Sequence, residues 1–331
     1  MGRIVPSASP AFGEDEDMNA ILQRVQLLLR LVLSVGLALA LWPRLGWLAL
    51  LPAALLFWAH GLLLALSFAR LARLDPGHGL RPPGRRELLR AWWRELWVVE
   101  RVFALRQPFA ERAEPDHLPA RARGRGVLLL HGFSCNRGLW NVWMRRLRAR
   151  GHAFVALSLE PAFGSIDDYA APIEAALQRL THSSGGRPPV IVAHSMGGLA
   201  VRAWWRRHGR PGAEARVQRV LTLGSPHAGT LTAALAAPFF TNARQMRRHS
   251  NWLQALAAAE TPAWRARFAC FFSRCDHVVC PAATALLPGA QAHEIGGGIG
   301  HLALVEQEAA FAALLAALEE GGDGGADGLP R

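Results

Sequence analysis

The stretch Val190-Ile191-Val192-Ala193-His194-Ser195-Met196-Gly197-Gly198-Leu199 constrains this chain more than any other. Four apolar residues follow Pro188-Pro189, and three of them are β-branched, the pattern of a short buried parallel strand. A serine comes next, with Ala193 two places before it and Gly197 two places after. Leu199, Val201 and the Trp204-Trp205 pair then continue at helical spacing. A strand that passes into a helix through one serine turns too sharply for large neighbours at those two positions.

The arrangement has a chemical use. A serine hydroxyl is a weak nucleophile until it is held out of the chain toward a base. Such a turn also aims the Met196 N–H from a helix N-terminus, where negative charge is favoured. That N–H is half of an oxyanion hole. The pattern is G-x-S-x-G with Ala193 at the first glycine. The competing reading is a serine-capped helix behind a core strand, and the rest of the chain decides between them.

At 331 residues the chain has room for one catalytic domain and an appendage. Its net charge is +12, and all 37 basic residues are arginine, a bias that GC-rich coding produces. No nucleic-acid motif is present, and the arginines gather beside apolar segments. The anionic partner expected is a membrane surface and not a nucleic acid. Cys135, Cys270, Cys275 and Cys280 contain no C-x-x-C pair. They read as reduced, partly buried thiols, and no metal or organic cofactor is expected.

The first 115 residues are unlike the rest. Residues 1–20 are polar with an acidic run at 14–17 and are expected to be disordered. Residues 21–42 are mostly Leu and Val, interrupted by Arg24 and Arg30. Residues 45–69 hold no charged side chain. About 20 apolar residues span a bilayer, so 21–70 reads as a transmembrane helical hairpin turning at Pro43-Arg44. A signal peptide fits poorly, because acidic residues precede the first run and a second run follows at once. Arginines from Arg70 to Arg94 outnumber the single Arg44 of the turn, which places the following segment in the cytoplasm, with a bacterial inner membrane as the expected location. Residues 71–114 read as a basic helix and a linker. Trp92, Trp93 and Trp97 suit either a membrane interface or packing on the domain.

Residues 115–320 read as the catalytic domain, and 321–331 as a disordered tail. Strands are expected at 126–130, 155–157, 217–223, 268–272 and 292–295. The segment 230–262 mixes apolar patches with basic residues and reads as a lid. The first strand ends in His131-Gly132-Phe133, which places the Phe133 N–H as the second oxyanion donor. Asp276 and His301 each follow a predicted strand, so a parallel sheet brings them to the edge that carries Ser195. His301 would accept the Ser195 proton, and Asp276 would hold its tautomer. His277 and His293 are weaker alternatives for the base, and Asp167 and Asp168 for the acid. His131, His194 and His227 read as structural.

These motifs together resemble the lipase-like branch of the α/β-hydrolases. His131-Gly132-Phe133, Ala193-His194-Ser195-Met196-Gly197-Gly198, Gly224-Ser225-Pro226-His227-Ala228-Gly229-Thr230, Asp276 and Gly300-His301 follow its order over residues 126–305. The resemblance implies a mostly parallel sheet with helices on both faces, and hydrolysis of a carboxylic ester through an acyl-enzyme on Ser195. The expected substrate is a lipid-like or acyl ester. An acyl-thioesterase or acyltransferase would use the same triad, and a non-catalytic membrane scaffold with a hydrolase fold is the alternative from another class.

Overall fold

The computed structural model describes residues 17–120 and 122–320. The expected disordered tail and residues 1–16 lie outside them. Residues 17–20 depart from the expectation of disorder. They open helix α1 (Met18–Leu45), whose first turn Asp17 caps by accepting from the Ala20 N–H at 3.1 Å.

Gly46, with φ +52°, ends α1 and reverses the chain. Only glycine takes that conformation without strain. Helices α2 (Leu50–Phe57) and α3 (Ala59–Leu71) return along α1, so that Arg30 lies 4.1 Å from the Phe57 ring centroid and 3.4 Å from His60 Nδ1. Ser34, Ala49 and Ala53 are buried, and their small side chains let the helices approach closely. Leu39, Trp47, Leu55, Leu62 and Leu63 point outward and are exposed. The expected second span, 45–69, is not one helix. A 3-10 turn after Gly46 and a break at Trp58 divide it, and α3 alone has 13 residues. Among the described residues the helical run Met18–Phe57, counted through its bend, is long and apolar enough to cross a membrane.

Helix α4 (Arg85–Val99) follows, then a π-helical segment Glu100–Arg106 and the short α5 (Gln107–Ala110). The basic helix expected within 71–114 is therefore three segments. The linker follows α5 and pairs through His117 with Phe154.

The remainder is a six-stranded parallel sheet: β1 (Val127–Leu130), β2 (Phe154–Leu157), β3 (Val190–His194), β4 (Arg219–Leu223), β5 (Phe268–Phe272) and β6 (Gln291–Glu294), in the order β2-β1-β3-β4-β5-β6. The register aligns Leu130 with Ala193 and His194 with Leu223. Side chains alternate between faces. Leu128, Leu130, Ile191, Ala193 and Val220 face one core. Val127, Leu129, Val190, Val192 and Leu221 face the other.

Helix α6 (Asn141–Arg148) lies on the second face, and α7 (Ala170–Ser183) and α8 (Met196–His208) lie on the first. Between β4 and β5 come four short helices, α9 (Ala233–Ala236), α10 (Thr241–Gln245), α11 (Asn251–Ala259) and α12 (Pro262–Arg265). Helix α13 (Glu308–Glu319) closes the second face. Ahead of it, Leu302–Glu306 forms a 3-10 turn.

The segment before β5 is fastened by tryptophans. Trp264 is fully buried and stacks on Trp205 of α8 at 4.3 Å and 9°. Beside it, the buried Arg202 pairs with Glu260 at 2.5 Å. Trp264→Ala removes the stack and leaves a cavity, so it is expected to destabilise the fold by about 3–5 kcal/mol, read as a fall in the denaturant midpoint. A fall below about 1 kcal/mol would mean that the site collapses around the smaller side chain.

Candidate active site

Four loops leave the same end of the sheet. The loop after β3 is the sharp turn itself: Ser195 has φ +54° and ψ −126° and directly precedes α8. A non-glycine residue in that conformation costs about 1–3 kcal/mol and is retained where the surroundings enforce it. The Ser195 N–H is held by Leu223 O at 2.9 Å. A Cβ on Gly197 would lie 2.7 Å from His131 O and 2.8 Å from Leu130 O. That crowding is the physical reason for the small residue two places after the serine.

The loop after β1 brings Phe133 to the same place. The Phe133 and Met196 N–H groups have no acceptor among the described residues. His131 supports this loop as a neutral ring: its Nδ1–H donates to Gly132 O at 2.8 Å, and its Nε2 accepts from the Leu159 N–H at 2.8 Å. Burial holds its pKa below the usual histidine value.

Asp276 and His301 meet beside the serine turn. His301 Nδ1 lies 2.7 Å from Asp276 Oδ2, and both side chains are buried. The other oxygen, Oδ1, accepts from Val278 N at 2.9 Å and Val279 N at 2.8 Å. Gly224, next to the Leu223 carbonyl that holds Ser195, borders this pair. A Cβ on it would lie 2.9 Å from Asp276 Oδ2 and 3.2 Å from His301 Nδ1. The His194 ring packs at 4.6 Å on the His301 ring, and its Nε2–H donates to His301 O at 3.2 Å. Burial, and then the His301 charge, hold His194 far below the ordinary value, so it stays neutral. For His301 itself burial opposes the charged form, but the charge and hydrogen bond of Asp276, with Glu95 behind, outweigh it and raise the pKa.

The alternatives lie elsewhere. Asp167 binds Arg206 and Trp252, Asp168 accepts from the Ser165 N–H as a helix cap, and His293 is on the exposed strand β6. His277 is half-buried with its ring tilted 4.7 Å from that of Phe68, and desolvation lowers its pKa to about 4. His227 bonds Thr222 Oγ1 at 3.1 Å. The four cysteines are buried and unpaired, and among the described residues no group of His, Cys, Asp or Glu is arranged to hold a metal ion. At the loop after β1, Phe133, Phe163 and Phe240 form an aromatic cluster with centroids 4.5–6.0 Å apart. Leu235 and Phe239 beside it are exposed.

What sequence reading missed is the back of the site. Three of the N-terminal helices, α1, α3 and α4, each rest on a different loop. From α1, Asn19 Nδ2 donates to Cys135 O at 2.8 Å and Gln23 Nε2 to Ser134 O at 3.0 Å. From α3, Phe68 and Leu71 pack with Cys275 and Cys280, on either side of Asp276. From α4, the Glu95 carboxylate accepts from the Leu302 and Ala303 N–H groups, just after His301. Sequence held one signal for this. Glu95 interrupts the apolar stripe of an arginine-rich helix, where a lone acid is out of place.

A family model described as the alpha/beta hydrolase family matches residues 127–323. This chain belongs to that family. Among solved structures, lipase B of Aspergillus fumigatus superposes with a TM-score of 0.54 at 15% identity, covering 91% of this chain and 81% of that one. The mature lipase BlEst2 of Bacillus licheniformis gives 0.49 at 19% identity, covering 62% of this chain and 94% of that one. The first likeness is one of fold. A search of curated protein sequences finds no match.

The serine turn tolerates no added methyl group. Gly197→Ala forces a Cβ into two backbone carbonyl oxygens and is expected to destabilise the protein by about 1–3 kcal/mol, seen as a lower melting temperature. An unchanged melting temperature would show that the turn relaxes around the methyl.

Proposed function

We propose that the protein is a membrane-anchored serine hydrolase that cleaves a carboxylic ester of a lipid-like substrate. The observation that carries this reading is the buried Asp276–His301 pair, 2.7 Å apart, beside a serine held in a left-handed turn. In this reading Ser195 Oγ attacks the ester carbonyl while His301 Nε2 takes its proton. The Phe133 and Met196 N–H groups stabilise the oxyanion. His301 then protonates the leaving alcohol, and water releases the acyl group by the same steps in reverse. Asp276 fixes the imidazole with its proton on Nδ1 and stabilises the imidazolium that forms.

Ser195 Oγ has no hydrogen-bond partner among the described residues, and such contacts commonly tighten only when substrate is bound. The anchor reading rests on the apolar run Met18–Phe57, whose outward side chains have no protein to cover them. The exposed Leu235 and Phe239 beside the aromatic cluster suit a substrate drawn from a bilayer. Domain limits of 21–70 for the anchor, 115–320 for the catalytic part and about 230–262 for a lid belong to the same proposal, as does a cytoplasmic face.

Ser195→Ala is expected to abolish hydrolysis of an activated ester. Asp276→Asn is expected to lower kcat/KM on the order of 10³–10⁴-fold. The wild-type rate should rise with pH. His301 must be neutral to act as base and its pKa is raised, so the acid limb lies above the ordinary histidine value. Loss of the Asp276 charge lowers that pKa and moves the limb to lower pH. Full activity in Ser195→Ala would sink the proposal.

The anchor is tested separately with Leu55→Asp and Leu63→Asp, whose side chains are 74% and 68% exposed. Each is expected to shift the protein from membrane to soluble fraction while short-ester hydrolysis persists. Unchanged membrane association would contradict the anchor.

A further inference from the structure

Helix α4 buries Ala91, Glu95 and Val98 on one side and Leu96 beside Gly61 of α3 on another, and Val102 continues the first stripe one turn on. Positions 91, 95, 98 and 102 share one face. Three carry apolar side chains, and the fourth is a carboxylate with 1% exposure. An unpaired carboxylate in that place would cost several kcal/mol. Glu95 is not unpaired. Its Oε1 accepts from Leu302 N at 2.7 Å and its Oε2 from Ala303 N at 3.1 Å. The chain makes room for it: a Cβ on Gly300 would lie 3.0 Å from Glu95 Cβ and nearer still to its carboxylate. The glycine before His301 is thus the opening through which a helix outside the sheet domain reaches the loop of the base.

We propose that Glu95 is a positioning residue for His301, holding the loop that carries the imidazole and placing a second carboxylate behind it. The inference rests on the reading of Ser195 as nucleophile and His301 as its base. Asp276 orients the ring through Nδ1. Glu95 acts one bond further out, through the two amides that follow His301 in the chain. Its charge adds to that of Asp276 in favouring the imidazolium that forms as Ser195 is deprotonated.

The electrostatics agree with the geometry. Burial drives the Glu95 carboxyl up to about 7, against the two amide hydrogen bonds and the attraction of His301, while the Asp276 charge adds to the rise. The other groups around it are engaged elsewhere. On α4, Arg94 donates to Gly297 O, and Glu87 accepts from the Gly84 N–H. On α3, which packs on α4 through Trp92 Nε1–H donating to Gly61 O at 3.0 Å, His60 pairs with Glu100. The other ionisable group of α3 on that side, Arg70, acts on Cys280. On the turn after His301, Glu306 pairs with Arg101 and Arg106. His277, on the Asp276 loop, is held neutral by burial. Helix α4 is therefore fastened to the anchor on one side and to the base on the other.

The test uses the full chain in detergent micelles and the rate of labelling by a fluorophosphonate, followed from pH 5 to 10 (about the range these groups cover). Glu95→Gln keeps the volume, removes the charge and leaves one acceptor for the two amides, because its Nε2 cannot accept. It is expected to move the acid limb of the labelling rate down by about one unit and to lower the plateau about three- to tenfold, with a lowered melting temperature from the lost buried hydrogen bond. Glu95→Asp keeps the charge and shortens the reach. It is expected to lower the plateau while leaving the limb near its wild-type position. A folded Glu95→Gln protein with the wild-type limb and plateau overturns the proposal. If Glu95→Gln does not fold, Glu95→Asp decides: a displaced limb or a wild-type plateau overturns it, and a lowered plateau with the limb in place supports it. No labelling of folded wild-type protein at any pH would instead refute the serine-nucleophile reading, a failure distinct from that of Glu95.

Discussion

A buried carboxylate must be answered on every oxygen, and the site is arranged around that constraint at Asp276. One oxygen takes two backbone amides of its own loop, and the other takes the ring of His301. Removing the His301 ring would leave a buried acceptor, Oδ2, unsatisfied, at a cost of about 1–3 kcal/mol. The loop after β5 must therefore keep its turn at Val278 and Val279, and the loop after β6 must keep His301 within reach. The parallel sheet makes this possible, because the loops after β3, β4, β5 and β6 all leave by the same edge.

The N-terminal helices extend this dependence beyond the sheet domain. Asn19 and Gln23 hold carbonyls of the loop after β1, Phe68 and Leu71 cover the Asp276 loop, and Glu95 holds the His301 loop. An anchor joined only by a linker would make no such contacts. Here the helix that presents Leu63 outward also packs Phe68 and Leu71 against the back of the site. Deleting the N-terminal helices would remove buried partners from three loops at once. A truncated protein would therefore report on the integrity of the loops as much as on access to a membrane.

Much of the fold was legible because its signals are local and periodic. The β-branched run before Ser195 marked β3, and the strands around it alternate between two cores as a sheet covered on both faces requires. That Ser195, Asp276 and His301 lie in loops after strands was legible from the strand that precedes each. The breaks within helices were less so. The left-handed turn at Gly46 and the π-helical segment after Val99 depend on packing between helices, which apolar content alone does not encode. The acidic residues beside Met18 suggested disorder, yet Asp17 opens a helix. The contact of Glu95 with the His301 loop joins residues more than 200 positions apart and has no motif. Its trace was a carboxylate at an apolar stripe position, a signal that gains meaning only once the partner loop is known.

The central claim is that Ser195 is an activated nucleophile. It is tested most directly by treating the detergent-solubilised protein with a fluorophosphonate and mapping the adduct by peptide mass spectrometry. The account predicts one adduct per chain, on the peptide that contains Ser195. An adduct on another residue, or none on folded protein, would contradict it.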